Sequence, residues 1–373
     1  MKYRVTCLTP TLVGDGQKLA PIDYMVWKEH VNVLDQRRIF RLLAKGPRLE
    51  GYLTQLKTAD KLDFASWGGF AQNFAGRRIP FEHATSVPVW ERAHSENLFI
   101  PTFATSTSGP YLPATAIKGA LRTGAVFDRW NEKTLRELAT RMEEDRPPRN
   151  PAGKAEDAVL GGHSGNRMRR VGTADSDPVA YAQMKIYLLR TSTMVARGAG
   201  KFELGWKSPR GTADARRIDD STPVFAEMAA PGMVFEGVWK ETSPHDRQKL
   251  FQASNSYAAS QIARHKAYAE AIGLERLSQT LSDLEKRVVE PGNTSGNTSG
   301  NNACILSLGW GAGMLSKISV ADTADPSYRS ILRHFSLYQK VVQTGLPFPK
   351  TRRIVFEGGR PAYLPGWVLL EVH

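Results

Sequence analysis

Pro110-Tyr-Leu-Pro-Ala-Thr-Ala-Ile-Lys-Gly-Ala-Leu-Arg-Thr123 joins a proline-kinked turn to a helix start that carries two cations and a glycine. Proline lacks a backbone N–H and fixes its φ, so the chain must turn here before a helix can begin. Thr115 is placed to cap the first turn by accepting from a free backbone N–H. Lys118 and Arg122 stand four residues apart and share one face. Ile117, Ala120, Leu121 and Ala125 form the apolar stripe that anchors the helix. Gly119, where alanine would make the better helix, suggests that another backbone comes close. A helix N-terminus with cations suits a phosphate backbone. An ordinary amphipathic helix with solvated cations accounts for the same residues, and the segment alone does not separate the two.

The whole chain leans the same way. Its 50 Lys plus Arg against 37 Asp plus Glu give a net charge of +13, which points to a polyanionic partner without distinguishing RNA from DNA or an acidic protein. A length of 373 residues allows two domains, and 41% hydrophobic residues fit a soluble globular protein. Cys7 and Cys304 have no metal-site spacing and sit in strand-like runs, so they read as reduced core thiols. The opening Met-Lys-Tyr-Arg-Val-Thr-Cys-Leu-Thr-Pro lacks an apolar core of signal-peptide length, and no run is long enough for a membrane span. The expected location is the cytoplasm, with no membrane partner.

Along the chain, a first strand ends at Pro10 and a glycine turn follows at Leu12-Val-Gly-Asp-Gly-Gln17. Residues 22–34 read as a hairpin with its tip at Lys28-Glu29-His30, and Asp35 as the N-cap of a helix through Ile39, Leu42 and Leu43. Residues 60–110 predict short strands and loops. Residues 131–145 predict a helix that Pro147-Pro148 ends. Residues 149–177 are rich in glycine and charge, either a mobile insertion or a loop tracking RNA; the clustered Arg167, Arg169 and Arg170 favour a contact surface. Residues 184–189 read as strand, 197–220 as a basic, disordered-looking piece, and 224–239 as two strands hinged at Pro231-Gly232. Residues 245–290 are a long helical stretch kinked near Gly273. Asn293-Thr-Ser-Gly-Asn-Thr-Ser-Gly300 is a low-complexity repeat, read as a flexible loop whose two glycosylation-type sequons carry little weight without a secretion signal. Strand 305–308, a glycine loop at 309–313, a helix over 328–343 and strands around 352–356 and 367–372 complete the chain. Hairpins mixed with helices across two halves predict an α+β fold, which ferredoxin-like units satisfy.

Leu308-Gly-Trp-Gly-Ala-Gly-Met-Leu-Ser-Lys317 follows a strand, but its spacing is not that of a dinucleotide loop. It reads as a loop whose backbone N–H groups approach a phosphate, with Trp310 to stack and Lys317 to pair, or as a tight turn with a core tryptophan. Lys350, Arg352 and Arg353 are either edge charges or phosphate contacts. Enzyme signatures fail. Gly198-Ala-Gly-Lys201 lacks the rest of a P-loop, and Gly162-His-Ser-Gly165 is followed by Asn166 where a nucleophile elbow needs glycine. No histidines pair at zinc spacing. His83 or His163 as a general base for RNA cleavage is less economical than an ordinary satisfied histidine. Asp15 and Asp23 in turns read as backbone acceptors rather than metal ligands.

Several of these pieces in order resemble one family. Leu8-Thr-Pro-Thr-Leu-Val-Gly-Asp-Gly16 with Pro21-Ile-Asp-Tyr24, Tyr111 to Arg122, Leu308 to Lys317 and Pro349-Lys-Thr-Arg-Arg353 are similar to the RAMP superfamily of CRISPR systems, and more narrowly to its fifth Csm subunits of type III-A effector complexes. Arg169-Arg-Val-Gly-Thr-Ala-Asp-Ser176 resembles the basic strand ending in Asp-Ser of that family, and Phe225-Ala-Glu-Met-Ala-Ala-Pro-Gly-Met-Val-Phe235 its second-half pattern.

The resemblance implies tandem ferredoxin-like (RRM-like) domains with glycine-rich loops and flexible insertions, expected over residues 1–178 and 179–373. It implies a non-catalytic subunit capping the complex near the 3′ portion of the crRNA, supporting crRNA maturation and antiviral defence. Expected partners are crRNA and target RNA, the neighbouring Csm backbone and small subunits, and host trimming nucleases. Expected RNA contacts are Gly14, Gly16, Lys118, Gly119, Arg122, Arg167, Arg169, Arg170, Gly309, Trp310, Gly311, Gly313, Lys317, Lys350, Arg352 and Arg353, with no cofactor, metal or catalytic residue. The related backbone subunit cleaves with an aspartate in a loop just after its first glycine turn. Here Gly14-Asp-Gly-Gln-Lys-Leu-Ala-Pro21 is shorter, so Asp15 receives no catalytic role. The competing reading is a metal-independent RAMP endoribonuclease that processes CRISPR repeat RNA, and a third is a pure assembly cap.

Overall fold

The computed structural model describes the chain apart from residues 45, 47, 59–61, 63–70, 162–166, 199–200, 210–212, 290–301, 319, 321 and 344–347. The repeat at 293–300, His163 with the stretch 162–165, and the centre of 198–201 therefore lie outside the described residues, as does the side chain of Arg167.

Lys2–Cys7 (β1) alternates as its sequence does, with Tyr3, Val5 and Cys7 buried and Lys2 and Arg4 exposed. Helix α1 (Ala114–Arg129) comes next among the elements that place the site, and strand β2 (Val171–Ser176) follows it. Strands β3 (Met184–Ala196), β4 (Val224–Ala229) and β5 (Val234–Glu241) lead to the long helices α2 (Pro244–Ala271) and α3 (Glu275–Val289). Strands β6 (Ala303–Ser307), β7 (Thr351–Glu357) and β8 (Trp367–Val372) close the chain.

The first sheet runs β6-β8-β1-β5-β2 with every neighbour antiparallel. β1 and β2 therefore point the same way, with α1 crossing between them and β5 inserted in the sheet, a split β-α-β arrangement. Ile117, Leu121 and Val126 of α1 join Tyr3, Val5 and Phe235 in one core cluster. α1 meets α2 closely, since a Cβ on Gly124 would lie 2.9 Å from the Ser254 Cα. A cut after residue 178 passes through this sheet: Tyr3 pairs with Gly237 on one edge of β1 and with Val372 on the other. The two ends of the sequence thus build one sheet, and the expected boundary does not separate the strands.

The second sheet centres on β3, with β7 on one edge and both β4 and Phe202–Trp206 on the other. β3 runs well past the apolar stretch that marked it, because its later polar residues are buried and bonded. Arg190 donates from Nη1 to the Ile218 carbonyl (2.7 Å) and to Ser221 Oγ (2.7 Å), and Ser192 Oγ donates to the Arg352 carbonyl (3.2 Å). The 197–220 piece likewise contains ordered strand rather than only basic coil.

A smaller lobe carries the three-stranded sheet Tyr24–Trp27, His30–Leu34 and Ala75–Pro80 with helices Gln36–Leu43 and Arg48–Thr58. Its hairpin turns at Lys28 (φ 45°) and Glu29 (φ 60°), and Asp35 Oδ1 accepts from the Arg38 N–H (3.0 Å) as its N-cap position predicts. Arg77 of this lobe makes two hydrogen bonds, 2.7 and 3.0 Å, to the carboxylate of Glu227 in β4, which is completely buried.

Other expectations met the structure unevenly. The helix near 131–145 is Glu132–Met142 with Asn131 as its cap, and the long helical stretch breaks at Gly273 between α2 and α3. The expected single helix over 328–343 is two, Pro326–Arg333 and Ser336–Gln343. A helix at Ser86–Arg92 stands within the segment read as strands and loops, and residues 149–177 hold the helix Pro151–Leu160 and β2. Both cysteines are buried and unpaired, and burial pushes the Cys7 thiol up to about 12. No described helix is long and apolar enough to cross a membrane.

Arg77→Met should cost about 3–5 kcal/mol in urea unfolding, the usual result of stranding one half of a buried ion pair. Desolvation already raises the Glu227 pKa, and losing Arg77 raises it further above the unfolded value. The folded variant then binds the extra proton, so its deficit should shrink as pH falls through that raised pKa. A deficit independent of pH would show that Glu227 is not the stranded group.

Candidate nucleic-acid interface

Three chain segments meet where β1 and β6 end and β8 begins. The Trp310 N–H donates to the Leu12 carbonyl (2.7 Å), the Gly366 N–H to the Pro10 carbonyl (3.0 Å) and the Leu308 N–H to the Gly366 carbonyl (2.7 Å). Gly309, at φ +76°, sits so close that a Cβ would lie 2.1 Å from the Leu12 oxygen. A Cβ on Gly14 would lie 2.8 Å from the Thr102 oxygen, and one on Gly311 would lie 2.9 Å from Pro365 Cγ. These three glycines let the protein's own segments approach one another, where the sequence had suggested room for an RNA strand. Around Gly16 and Gly313 no atom comes within 4 Å of the Cβ position, so the open glycines are those two.

The segments wall a groove of 1060 Å³. That is at the upper end of the ~300–1,000 Å³ of a usual small-molecule site. Gly14, Gly16, Gly309, Trp310, Gly311, Gly313, Lys317 and Arg353 all line it, together with Lys18, which the sequence reading passed over, and Thr191 from β3. Its described lining contains three cations, Lys18, Lys317 and Arg353, and no carboxylate or histidine. Lys18 lies 4.3 Å from the centroid of the Phe99 ring, and the Arg353 guanidinium stacks 4.0 Å from the Trp310 centroid. Trp310 is therefore already stacked on a cation. Burial pulls the Arg353 pKa below the ordinary arginine value, and its Nε is buried without a hydrogen-bond partner in the described structure. The side chain is half-buried, so an anion in the groove would meet a partly desolvated cation.

The remaining cations are placed elsewhere. Arg352 turns inward: it is buried, donates from Nε to His265 Nδ1 (2.9 Å) and from Nη1 to the Pro349 (2.7 Å) and Thr351 (2.9 Å) carbonyls, and lies over the Tyr268 ring. Burial lowers its pKa to about 10. Burial first and Arg352 second hold His265 well below its usual range, which keeps the ring neutral and able to accept. Arg352 is thus a core residue, and its alternation with half-buried Thr351 and Arg353 on either side follows from the strand period. Lys350, just ahead of the strand, is half-buried too.

On α1 the first N–H groups meet the protein rather than a free anion. The helix begins at Ala114 with Pro113 as N-cap, Thr115 makes no cap, and the Ala114 N–H donates to Asp175 Oδ1 (2.8 Å). Ser176 Oγ accepts from the Leu112 N–H (2.8 Å), so the Asp-Ser end of β2 clamps the entry to α1. Gly119 faces open space with no neighbouring backbone, Lys118 is half-buried beside it, and Arg122 pairs with Glu156. Arg169 is exposed, and Arg170 pairs with Asp246 at 3.5 Å on the edge of the first sheet beyond β2. Neither α1 nor this arginine cluster lines the groove.

No described group of His, Cys, Asp or Glu is arranged to hold a metal. Asp15 accepts from the Gln17 N–H (3.0 Å) and Asp23 from the Ala20 N–H (2.7 Å), which are local turn contacts. His83 is exposed and contacts Thr85 (3.1 Å).

The model of the RAMP superfamily matches residues 4–358, and the chain belongs to that superfamily. Two solved structures share its fold. One is a chain of a cryo-EM Csm–crRNA–target RNA ternary complex of a type III-A CRISPR-Cas system, with 17% identity, TM-score 0.66 and 100% of both chains covered. The other is the crystal structure of T. onnurineus Csm5, with 15% identity, TM-score 0.59, and 98% of this chain and 99% of that one covered. No curated protein matches the chain in sequence.

The two kinds of glycine make opposite predictions. Gly119→Ala should stabilise the free protein by about 0.4–1 kcal/mol, because the site is helical and empty. Gly309→Ala should destabilise it by at least about 1–3 kcal/mol, from the left-handed backbone and the Leu12 oxygen. Equal effects in urea unfolding would refute the separation into open and packed glycines.

Proposed function

We propose that this chain is a non-catalytic, guide-RNA-binding subunit at the end of a type III-A CRISPR Csm effector complex. It caps the complex near the 3′ portion of the crRNA in the cytoplasm and supports crRNA maturation and antiviral defence. The observation that carries the reading is the groove, whose cations Lys18, Lys317 and Arg353 face no carboxylate in the described lining. A strand of RNA supplies the missing negative charge along its length. The structural relative seen in a Csm complex with crRNA and target RNA supports crRNA, target RNA and other Csm subunits as partners; the neighbouring backbone and small subunits and host trimming nucleases are part of the same proposal.

The finer fold reading belongs to this proposal. β8-β1-β5-β2 with α1 and α2 has the strand order of one ferredoxin-like unit, and the sheet around β3 would form the heart of a second. The endoribonuclease alternative is less well supported, because the groove's described lining offers no histidine or carboxylate as general base.

Lys18→Gln combined with Lys317→Gln should weaken guide-RNA retention by the assembled complex about tenfold or more near 0.1 M salt, since each lost phosphate contact lowers both affinity and salt dependence. Guide RNA retained at the wild-type level would overturn the groove assignment. Cleavage of labelled repeat RNA by the purified chain would instead revive the nuclease.

A further inference from the structure

The small lobe carries a second cationic surface outside the groove. Helix Gln36–Leu43 buries Ile39 and Leu43 on one side, against a core that includes Met25, Tyr52 and Phe74. That anchorage leaves Arg37, Arg38, Phe40, Arg41 and Leu42 exposed, with Phe40 at 43% and Leu42 at 55%. The Phe40 ring is not loose: it meets Tyr52 edge-on with centroids 5.9 Å apart.

The arginines stand out for what they lack. On other exposed helices of this chain cations meet carboxylates a turn away, as in Arg136 with Glu132, Lys133 with Glu137 and Lys286 with Asp283. Arg37, Arg38 and Arg41 make no ion pair among the described residues, and the first turn of their helix holds no acidic residue. Arg37 and Arg41 at i,i+4, and Arg38 and Arg41 at i,i+3, repel one another by about 0.2–0.5 kcal/mol per pair. Asp35 at the N-cap is one carboxylate beside three arginines, and the excess of positive charge is stabilised by an external anion. Guanidinium groups match phosphate by two parallel hydrogen bonds, and an exposed ring among them offers a stacking platform for a base.

We propose that helix Gln36–Leu43 is a second contact for the RNA strand, through Arg37, Arg38 and Arg41 with Phe40 as the stacking ring. This rests on the groove reading above and extends the path of the strand. Gln36 Nε2 donates to the Ile22 carbonyl (3.5 Å), and Ile22 lies four residues beyond Lys18 on the groove wall. Four residues span at most about 14 Å. The lobe is fixed to the body by the Arg77–Glu227 pair, so the helix holds its place beside the groove mouth. An exposed aromatic ring within the cationic stripe, close to a cationic groove, favours a nucleic-acid strand over an acidic protein segment.

The test uses the full chain and a fluorescein-labelled single-stranded oligouridine, with affinity measured by anisotropy across a salt series. The variant Arg37→Gln, Arg38→Gln, Arg41→Gln should lower the slope of log affinity against log salt by about 2, at ~0.7 per lost phosphate contact. The matching triple change to lysine, equal in charge, should keep most of the slope, which separates charge loss from misfolding. Suppose the glutamine variant binds like wild type while Lys18→Gln with Lys317→Gln weakens binding. The helix is then removed as a contact and the groove reading stands. Failure of the wild-type chain to bind at low salt overturns both. RNA binding kept, with co-purification of the partner subunits lost, would assign the stripe to an acidic protein surface and overturn the proposal.

Discussion

The backbone junction of Leu12, Trp310 and Gly366 is the constraint on which the site depends. β1 is the only described strand of the first sheet flanked by both β8 and β5, so its exit loop is delivered beside the exit of β6 and the entry of β8. Three N–H to carbonyl bonds then tie these loops, two of them joining the exit of β1 to segments near the other end of the sequence. Such closeness leaves no room for a Cβ at Gly309 or Gly366. The rim of the groove is therefore set by the same hydrogen bonds that close the core, and it needs no bound strand to take shape.

Charge is distributed less freely than the formal +13 suggests. Arg77, Arg190, Arg247 and Arg352 are all drawn inward: the first three bond carbonyls or carboxylates of other segments, and Arg352 bonds the His265 ring. Arg247, for example, bridges Glu241 (2.9 Å) and Asn302 (3.0 Å). Such groups must be bonded because an unpaired buried cation is strongly destabilising. Arg190, Arg247 and Arg353 each keep a buried Nε without a hydrogen-bond partner, and of these three Arg353 is the one on the groove wall. Its place on the groove wall is more informative about function than net charge.

Local signals were legible where the physics was local. The Asp35 and Asn131 caps, the Lys28-Glu29 turn and the break at Gly273 each depend on residues within a few positions. β2 was legible only through the family resemblance of Arg169 to Ser176 and not from its own pattern, because Val-Gly-Thr-Ala-Asp-Ser buries only Val171 and Ser176 and owes its strand form to β5. The inward role of Arg352 rests on His265 and Tyr268, which lie far off in sequence. No spacing rule reports such a partner. The groove glycines were found in the sequence, but which of them face the protein and which face space is decided by tertiary approach. Lys18 was missed because a single lysine after a glycine turn has no signature of its own.

The α1 face and the groove are not equivalent as places for a phosphate. At the head of α1 the Asp175 carboxylate already takes the Ala114 N–H, so an incoming phosphate would meet a negative charge as well as a dipole. Arg122 is held by Glu156, but that pair is half exposed, and such pairs are worth at most about 1 kcal/mol. A phosphate can compete for Arg122, yet the displaced carboxylate stays nearby and reduces the gain. Lys118 makes no ion pair among the described residues, but a single cation offers one contact. In the groove, by contrast, three cations line a described wall free of carboxylates, and one of them is desolvated. Desolvation strengthens each remaining attraction, because the effective dielectric is lower there than at an open helix face. If α1 touches the strand, it does so as an outer contact sensitive to salt, while the groove sets where the strand lies.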